Sequence, residues 1–376
     1  MKKQQLHIAM LGHKHIPSRE GGVEIVVEEL STRMAALGHR VVCYNRRGHH
    51  ISGAAYDTKV SGDCLGVAIK TVPTINGRGL AAVSASFFAA VAAAFSRADV
   101  VHIHAEGPAV MCWLPRLMGK RVVVTVHGLD WQREKWSHGF GAKYIHMGER
   151  MAVRFAHEII VLSQSVRQYF LDTYGRQTTF LPNGVSKPQR VPSEELESGW
   201  GLETDSYLLF LGRLVPEKGI HRLIEAYRQV NTEKKLVIAG GTSDTDGYVE
   251  ALRRQGAEDS RVLFTGFVQG KPLGALYSNA YLYVLPSDLE GMPLSLLEAM
   301  SYGNCCLVSD IDECAQVVGD CGFTFPKGNT DRLRQQLQFL CDHPEQVNAC
   351  RERASDYVCN KYSWEDVTEK TLQLYG

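Results

Sequence analysis

Residues 285–300 read LPSDLEGMPLSLLEAM. An apolar strand runs into a Pro-Ser turn, the carboxylate Glu290 follows, and a Gly-x-Pro entry opens a helix that carries Glu298 about two turns further on. Pro293 suits the first helical position, and the free N–H groups of a helix start can bind an anion. An anion site with two separated carboxylates predicts the binding of a nucleotide sugar through its diphosphate, sugar and ribose.

Length and composition predict a two-domain globular protein. The chain has 376 residues, of which 44% are hydrophobic, and a formal net charge of zero, and this length exceeds that of one ordinary domain. Residues 1–185 hold 22 Lys/Arg against 13 Asp/Glu, whereas the remainder holds 19 against 28. The basic first half either meets an acidic partner or reflects scatter between domains. Zero net charge without a basic-aromatic module disfavours nucleic-acid binding.

Cysteine spacing and apolar runs bear on the compartment. The ten cysteines include no Cys-x-x-Cys, which favours free thiols in a reducing compartment. The N-terminus shows no signal-type apolar region, so a cytoplasmic location is expected. Leu80–Phe95 is short of the roughly 20 residues that span a bilayer. It is predicted to be a buried helix, with a surface-lying membrane helix as the alternative.

Short apolar runs alternate with helical patterns along the chain, which predicts doubly wound parallel α/β units. The predicted strands are His7–Leu11, Arg40–Tyr44, Val67–Thr71, Val100–His104, Arg121–Val126, Glu158–Leu162, Tyr207–Leu211, Lys235–Ala239, Val262–Thr265, Tyr281–Leu285 and Cys305–Ser309. The break follows Leu181–Gly184, and residues 186–201 read as a connection. The predicted domains are residues 1–183 and residues 200–361, with a last helix capped by Ser363.

Gly212–Gly219 reads GRLVPEKG and follows the first strand of the second half. Ligands of open α/β sheets bind at such strand-to-helix loops, and the guanidinium of Arg213 with the ammonium of Lys218 can neutralise a diphosphate. The alternative is two solvated loop cations. The Glu290 loop leaves the same sheet edge, which favours the diphosphate site.

Three features of the first half are candidate ligand contacts. Gly21 and Gly22 follow the first strand and allow close approach to a phosphate, although the loop does not match G-x-G-x-x-G, which counts against a nicotinamide or flavin enzyme. His127 ends a strand, where it can bind a sugar hydroxyl, assist proton movement or serve as a core histidine. Asp130 and Trp131 can form an acceptor surface, and simple packing of the tryptophan is the alternative.

Paired histidines occur at His13-x-His15, His49-His50 and His102-x-His104. None has a third ligand at a familiar metal spacing, and the first and third pairs are more simply explained as polar residues at strand ends, so no metal is assigned. No G-x-S-x-G or Walker A sequence is present.

Together these motifs resemble the retaining, nucleotide-sugar-dependent glycosyltransferases of family 4, which have the GT-B fold, over nearly the whole chain. The matching signatures are Glu-x7-Glu at Glu290 and Glu298, G-R-x-x-x-E-K-G at Gly212–Gly219, the glycine loop at Gly21-Gly22 and the H-G position at His127. The segments at residues 18–24 and 127–136 are similar to a bacterial subgroup often labelled rhamnosyltransferases.

The resemblance implies two Rossmann-like domains facing a central cleft, with the donor mainly on the second, the acceptor on the first, and a C-terminal helix of residues 362–376 crossing back. Arg213 and Lys218 would hold the diphosphate and Glu298 the ribose. Glu290 with Gly291, Met292, Pro293 and Leu294 would hold the sugar and phosphate. Phe267 and Val268 would line the base pocket. His127, Glu290, Arg213 and Lys218 would serve catalysis, with no cofactor and no metal.

The resulting hypothesis is transfer of a hexose or deoxyhexose from a UDP- or dTDP-sugar to a lipid-linked or oligosaccharide acceptor. The product would be a bacterial surface polysaccharide made at the cytoplasmic face of the inner membrane, with peripheral membrane contact. The leaving phosphate would accept the acceptor proton on the same face of the sugar. The alternatives are a sugar-nucleotide epimerase of similar architecture and a non-catalytic sugar-nucleotide-binding protein.

Overall fold

The computed structural model describes residues 5–48, 63–75, 77, 79–132, 139–241 and 245–376. The chain divides into two compact units, Met1–Asn183 with Trp364–Gly376 and Gly184–Ser363. Each unit contains one sheet. Residues 186–201, predicted to be a connection, fall within the second unit and include a short helix, Glu194–Trp200.

The first unit is built on an eight-stranded sheet with the order β3-β4-β2-β1-β5-β6-β7-β8. Its strands are β1 His7–Leu11, β2 Arg40–Arg46, β3 Asp63–Cys64, β4 Val67–Val72, β5 Val100–His104, β6 Arg121–Val126, β7 Glu158–Val161 and β8 Thr179–Phe180. Neighbouring strands are parallel except β3 and β4. The central strand β5 is buried along its whole length, as its unbroken apolar run predicts.

The described helices of the first unit flank this sheet. They are α1 Gly22–Ala36, α2 Leu80–Ala94, α3 Glu106–Ala109, α4 Trp113–Leu117, α5 Gly139–Phe155, α6 Gln164–Tyr174 and α15 Trp364–Gln373. Helix α2 buries Ala89, Ala90 and Ala93 but exposes Phe87 and Phe88. The prediction of a buried helix is therefore wrong for one face, because the small alanines, and not the large phenylalanines, pack on the sheet.

The second unit has a six-stranded parallel sheet with the order β11-β10-β9-β12-β13-β14. The strands are β9 Tyr207–Leu211, β10 Lys235–Ala239, β11 Val262–Gly266, β12 Leu282–Leu285, β13 Cys306–Ser309 and β14 Phe323–Phe325. The described helices are α7 Glu194–Trp200, α8 Ile220–Tyr227, α9 Asp246–Gly256, α10 Gly270–Asn279, α11 Leu294–Ser301, α12 Asp312–Val318, α13 Thr330–Asp342 and α14 Pro344–Lys361. The buried apolar runs of β9, β10 and β12 form the centre of this core.

Helix α15 is the last element and packs on α1 of the first unit. Arg33 Nε donates to Glu365 Oε1 at 3.0 Å, and Arg121 Nε donates to the Leu374 carbonyl at 2.7 Å. Tyr375 is buried at the end of this segment. The chain terminus is thereby fastened to the same unit as the first strand.

Candidate functional site

In the second unit, two loops leave the same edge of the sheet side by side, because β9 pairs with β12 in parallel. The loop after β9 carries Arg213 and a 3₁₀ turn, Pro216–Lys218, and the loop after β12 carries Glu290. Gly219 has φ +67°, and a Cβ there would lie 2.2 Å from the Pro286 carbonyl oxygen. Only glycine fits this close approach of the two loops.

Lys218 and Glu290 form an ion pair that joins these loops. The Lys218 ammonium donates to Glu290 Oε1, which also accepts a hydrogen bond from Ser287 Oγ at 2.6 Å. The two side chains are only 12% and 9% exposed. Removing one partner would leave a nearly buried charge uncompensated, which is costly. The carboxylate and the ammonium are therefore held in fixed positions at the sheet edge.

Further contacts make this edge rigid. Arg222 donates to Asp288 Oδ2, and the Asp288 N–H donates to the Glu217 carbonyl at 2.8 Å. Sequence reasoning did not single out Ser287, Arg222 or Asp288. The first and third stand within the quoted stretch at residues 285–300, so their position beside Glu290 was the available signal.

Arg213 lies half-buried in the loop after β9. The following Leu214 N–H donates to the Gly241 carbonyl at 3.0 Å, which holds this loop against the end of β10. Gly240 has φ +151°, and a Cβ there would lie 1.8 Å from the Gly212 carbonyl oxygen. The guanidinium is thus carried by a loop whose backbone is tightly restrained on the side of β10.

Helix α11 starts at Leu294, one residue later than predicted. Pro293 has φ −75° and ψ 104°, so it is the extended residue before the helix and not its first helical residue. Its carbonyl accepts the N–H groups of Leu296 and Leu297 at 3.1 and 3.2 Å. Gly291 and Met292 are buried just ahead of it.

The remaining predicted donor contacts flank these loops. Glu298 Oε2 accepts a hydrogen bond from the Tyr277 hydroxyl at 3.1 Å, and burial beside Glu298 raises the pKa of that hydroxyl well above its ordinary value. Phe267 and Val268 are half-buried after β11. Because β10 lies between β11 and β9, Phe267 and Val268 stand two strands away from the loop after β9 that carries Arg213 and Lys218.

In the first unit, the sheet edge gathers histidines from three adjacent strands. His13 follows β1, His104 ends β5 and His127 follows β6. His104 Nδ1 and His127 Nε2 lie 3.1 Å apart, and their rings stack at 5.3 Å between centroids. The ring of His102 stacks on His104 at 4.2 Å. The predicted residue His127 is therefore backed by His104, which sequence reasoning had considered as part of a metal pair and as a strand-end polar residue.

Burial keeps these supporting imidazoles neutral. It lowers the pKa of His13 to about 4 and of His102 to about 3, and the pKa of His104 well below its ordinary value. His102 is saturated with hydrogen bonds, at 2.7 Å to the Tyr375 hydroxyl and at 2.7 Å to Thr125 Oγ1. The His104–His127 hydrogen bond thus involves a neutral imidazole, which holds the His127 ring in one orientation.

Two buried carboxyl groups support the loop that carries Asp130. Glu106 Oε2 accepts the Asp130 N–H at 2.8 Å. Burial, with the neighbouring Asp130 and Glu149 carboxylates, raises the pKa of Glu106 well above its ordinary value, which favours the protonated form of this side chain. Glu149 Oε2 accepts from Tyr174 and, at 3.1 Å, from Tyr169. The backbone of Asp130 is therefore held by a packed network of polar side chains.

Trp131 lies against this network. Its ring centroid is 5.1 Å from that of His146 and 6.0 Å from that of Tyr169. These contacts correspond to the packing alternative for the tryptophan. Residues 133–136 of the aromatic-basic run considered with it lie outside the described residues.

Gly21 and Gly22 stand at the start of α1 as predicted. Gly21 has an extended backbone, and a Cβ on it would lie 2.4 Å from Glu24 Oε2. Glu24 is buried and its Oε1 accepts the Lys14 N–H at 2.9 Å. Burial opposes ionisation, but Lys14 and the backbone N–H groups outweigh it and lower the pKa of Glu24. The glycine makes room for a carboxylate at this helix start.

Among the residues that the structure describes, no group of three or more His, Cys, Asp or Glu side chains is arranged to hold a metal ion. His49-His50 lies outside the described residues. Within the described ranges, no helix combines the length and the apolar character that a membrane crossing requires.

The buried histidines predict that stability falls in mild acid. Each contributes stability that is complete above the unfolded pKa of about 6.5 and is lost as the pH falls toward the lower folded pKa. Glu106, whose pKa is raised, acts in the opposite direction and offsets part of this loss. We expect the free energy of unfolding to fall by about 2–4 kcal/mol between pH 7 and pH 5. Urea titrations of the wild type and of His102→Gln at several pH values test this. In the variant, the free energy of unfolding should depend less on pH, by the equivalent of about one proton taken up on unfolding. A pH-independent free energy would contradict it.

The two parallel-sheet α/β domains have the GT-B fold. Anabaena Alr3699/HepE, solved in complex with UDP and glucose, superposes with a TM-score of 0.82 at 18% identity over 98% of this chain and 99% of that one. Residues 20–187 match the family model described as Glycosyltransferase Family 4, and residues 193–357 match that described as Glycosyl transferases group 1. The chain therefore belongs to the glycosyltransferases, as a family 4 domain followed by a group 1 domain.

Two relatives illustrate the range of this class. The glycogen synthase of Mycobacterium tuberculosis is 26% identical over 98% of this chain and 94% of its own length. The O-antigen chain mannosyltransferase B of Escherichia coli is 29% identical over 50% of each chain. The predicted GT-B fold and glycosyltransferase class are confirmed, whereas the roles of the individual site residues stay predictions.

Proposed function

We propose that this glycosyltransferase moves a hexose or deoxyhexose, such as rhamnose, from a UDP- or dTDP-sugar to a lipid-linked saccharide, with retention of the anomeric configuration. The observation that carries the proposal is the Lys218–Glu290 pair at the edge where the β9 and β12 loops meet. It provides a cation for a diphosphate beside a carboxylate for sugar hydroxyl groups.

The charged and N–H groups at this edge can stabilise a nucleoside diphosphate as the leaving group. As the sugar–phosphate bond breaks, negative charge grows on the leaving phosphate, and prepositioned cations and N–H groups stabilise that charge. Lys218 and Arg213 supply cations, and Gly291, Met292 and Leu294 supply backbone N–H groups at and just before the start of α11. We propose that these groups act without a metal ion or other cofactor. The leaving phosphate then accepts the proton of the acceptor hydroxyl.

On the first unit, we propose that His127 and Asp130 contact the acceptor. His104 orients the His127 ring, and Glu106 holds the Asp130 backbone. The relative from Escherichia coli is named as an O-antigen chain enzyme, which supports a surface polysaccharide as the product. A lipid-linked acceptor places the enzyme at the cytoplasmic face of a membrane, with peripheral contact.

The test is incubation of the protein with labelled UDP-, dTDP- and GDP-sugars and lipid-linked saccharide. We expect transfer from at least one donor, and NMR of the product should show the anomeric configuration of the donor. If none of the donors supports transfer or is hydrolysed, that result would contradict the proposal. A product formed from donor alone would indicate an epimerase, and calorimetric binding without turnover would indicate a sugar-nucleotide-binding protein.

A further inference from the structure

Helix α2 carries an apolar face that the described residues leave exposed. Leu80, Phe87, Phe88 and Phe95 follow the spacing of one helical side and are 57%, 45%, 37% and 69% exposed. The helix contains no charged residue. Three exposed phenylalanines lie on one side of this uncharged helix and form an apolar patch. Exposed apolar patches commonly mark interaction sites.

The face continues onto the end of α4. Lys120 Nζ donates to the Ser96 carbonyl at 2.9 Å, which ties the residues after α4 to the end of α2. The helices α2 and α4 pack on each other. Trp113, Leu117 and Met118 of this region are also exposed. We call the surface formed by Leu80, Phe87, Phe88, Phe95, Trp113, Leu117 and Met118 the α2–α4 face.

Basic side chains border the α2–α4 face. Arg97 and Arg116 are exposed directly after α2 and within α4, and Lys120 is half-buried beside them. Among the acids nearby in sequence, Glu106 is buried, whereas Asp99 is exposed and its Oδ2 accepts the His7 N–H at 2.8 Å. Aromatic residues flanked by Arg and Lys match the interfacial region of an anionic bilayer, which takes up rings and attracts basic side chains.

We propose that the α2–α4 face docks on an anionic lipid bilayer, with α2 lying parallel to its surface. The inference rests on the proposed function, in which the acceptor is lipid-linked, and it names the part of the chain that contacts the membrane. The 15 residues of α2 are too few to span, since a spanning helix needs about 20. A second copy fits less well, because a symmetric dimer through this face would bring its Arg97, Arg116 and Lys120 side chains together.

Vesicle flotation of the full chain tests the docking face. The vesicles contain either phosphatidylcholine alone or phosphatidylcholine with about one part in three of the anionic lipid phosphatidylglycerol. We expect binding to the anionic vesicles, a loss of about tenfold or more with Phe87→Ser/Phe88→Ser, and a loss of about fivefold with Arg97→Glu. The matched controls are Leu171→Ser and Arg167→Glu, which change an exposed leucine and an exposed arginine of α6 and should bind as the wild type does.

Three outcomes would overturn the docking face: no vesicle binding by the wild type, equal losses in the α6 controls, or a dimer in light scattering that Phe87→Ser/Phe88→Ser converts to a monomer. Transfer to a short-chain, water-soluble acceptor separates this inference from the proposed function. The α2 variant should retain wild-type transfer to that acceptor. Vesicle binding without any sugar transfer would support the docking face and refute the proposed function. Sugar transfer without vesicle binding would support the proposed function and refute the docking face.

Discussion

Lys218→Ala is expected to lower kcat/KM for sugar transfer by about two to three orders of magnitude, the effect of removing a key charge-stabilising donor. The ammonium of Lys218 contacts Glu290 Oε1, so its loss removes a cation for the leaving diphosphate and leaves the Glu290 charge without its partner. Repulsion between that carboxylate and the donor adds to the loss. Steady-state kinetics with a fixed acceptor measure the effect.

Lys271→Ala is the matched control for this variant. Lys271 pairs with Glu195 on the surface of the same unit, where an exposed ion pair contributes little, so its kcat/KM should stay within about twofold of the wild type. Thermal unfolding shows whether Lys218→Ala still folds. Glu290→Gln, which removes the charge with little change in shape, tests the contribution of the ion pair independently. Near-normal turnover by folded Lys218→Ala would refute the role of Lys218.

His127→Ala is expected to lower kcat by about two orders of magnitude, the scale of a lost proton-transfer or hydrogen-bonding group. The affinity for a nucleoside diphosphate should stay unchanged, because the donor diphosphate is assigned to the second unit. His104→Phe should lower kcat less, since His104 acts only by orienting His127 through the 3.1 Å hydrogen bond. The two variants combined should be no worse than His127→Ala alone.

His157→Ala controls for the loss of an imidazole. His157 lies just before β7, where its Nδ1 accepts the Val122 N–H at 2.9 Å at the opposite edge of the sheet. Its kcat should remain within about threefold of the wild type, as for most substitutions away from a site. If His127→Ala weakens nucleoside diphosphate binding as much as it lowers kcat, the assignment of His127 to the acceptor is wrong.

The strands that carry the sites could be predicted because they are continuous apolar runs. Strands β1, β5, β6, β9 and β10 have the predicted bounds, and the other long strands differ by one or two residues. The short strands β3, β8 and β14 were missed, because two or three residues show no periodicity. Pro293 was misplaced by one position because proline tolerates both the cap and the first turn.

The support of the sites depends on contacts between residues far apart in sequence. His102 meets Tyr375 across 273 positions, and Lys218 meets Glu290 across 72. Glu106 looked unremarkable in sequence, yet it holds Asp130 and lies beside Glu149. Such pairs follow from the order of the strands and from how the remaining elements pack on the sheet, which local patterns do not specify. The sequence motifs named the loops, while the structure supplied the partners that orient their side chains.

The central claim is that the Arg213–Lys218–Glu290 edge binds the diphosphate of the donor. Calorimetric titration of UDP, dTDP and GDP into the wild type and into Arg213→Ala/Lys218→Ala tests it most directly. We predict that at least one nucleotide binds the wild type and that its affinity falls at least about tenfold in the double variant, the scale of a lost charged hydrogen bond. Equal affinity in both proteins, with the double variant folded, would contradict the claim.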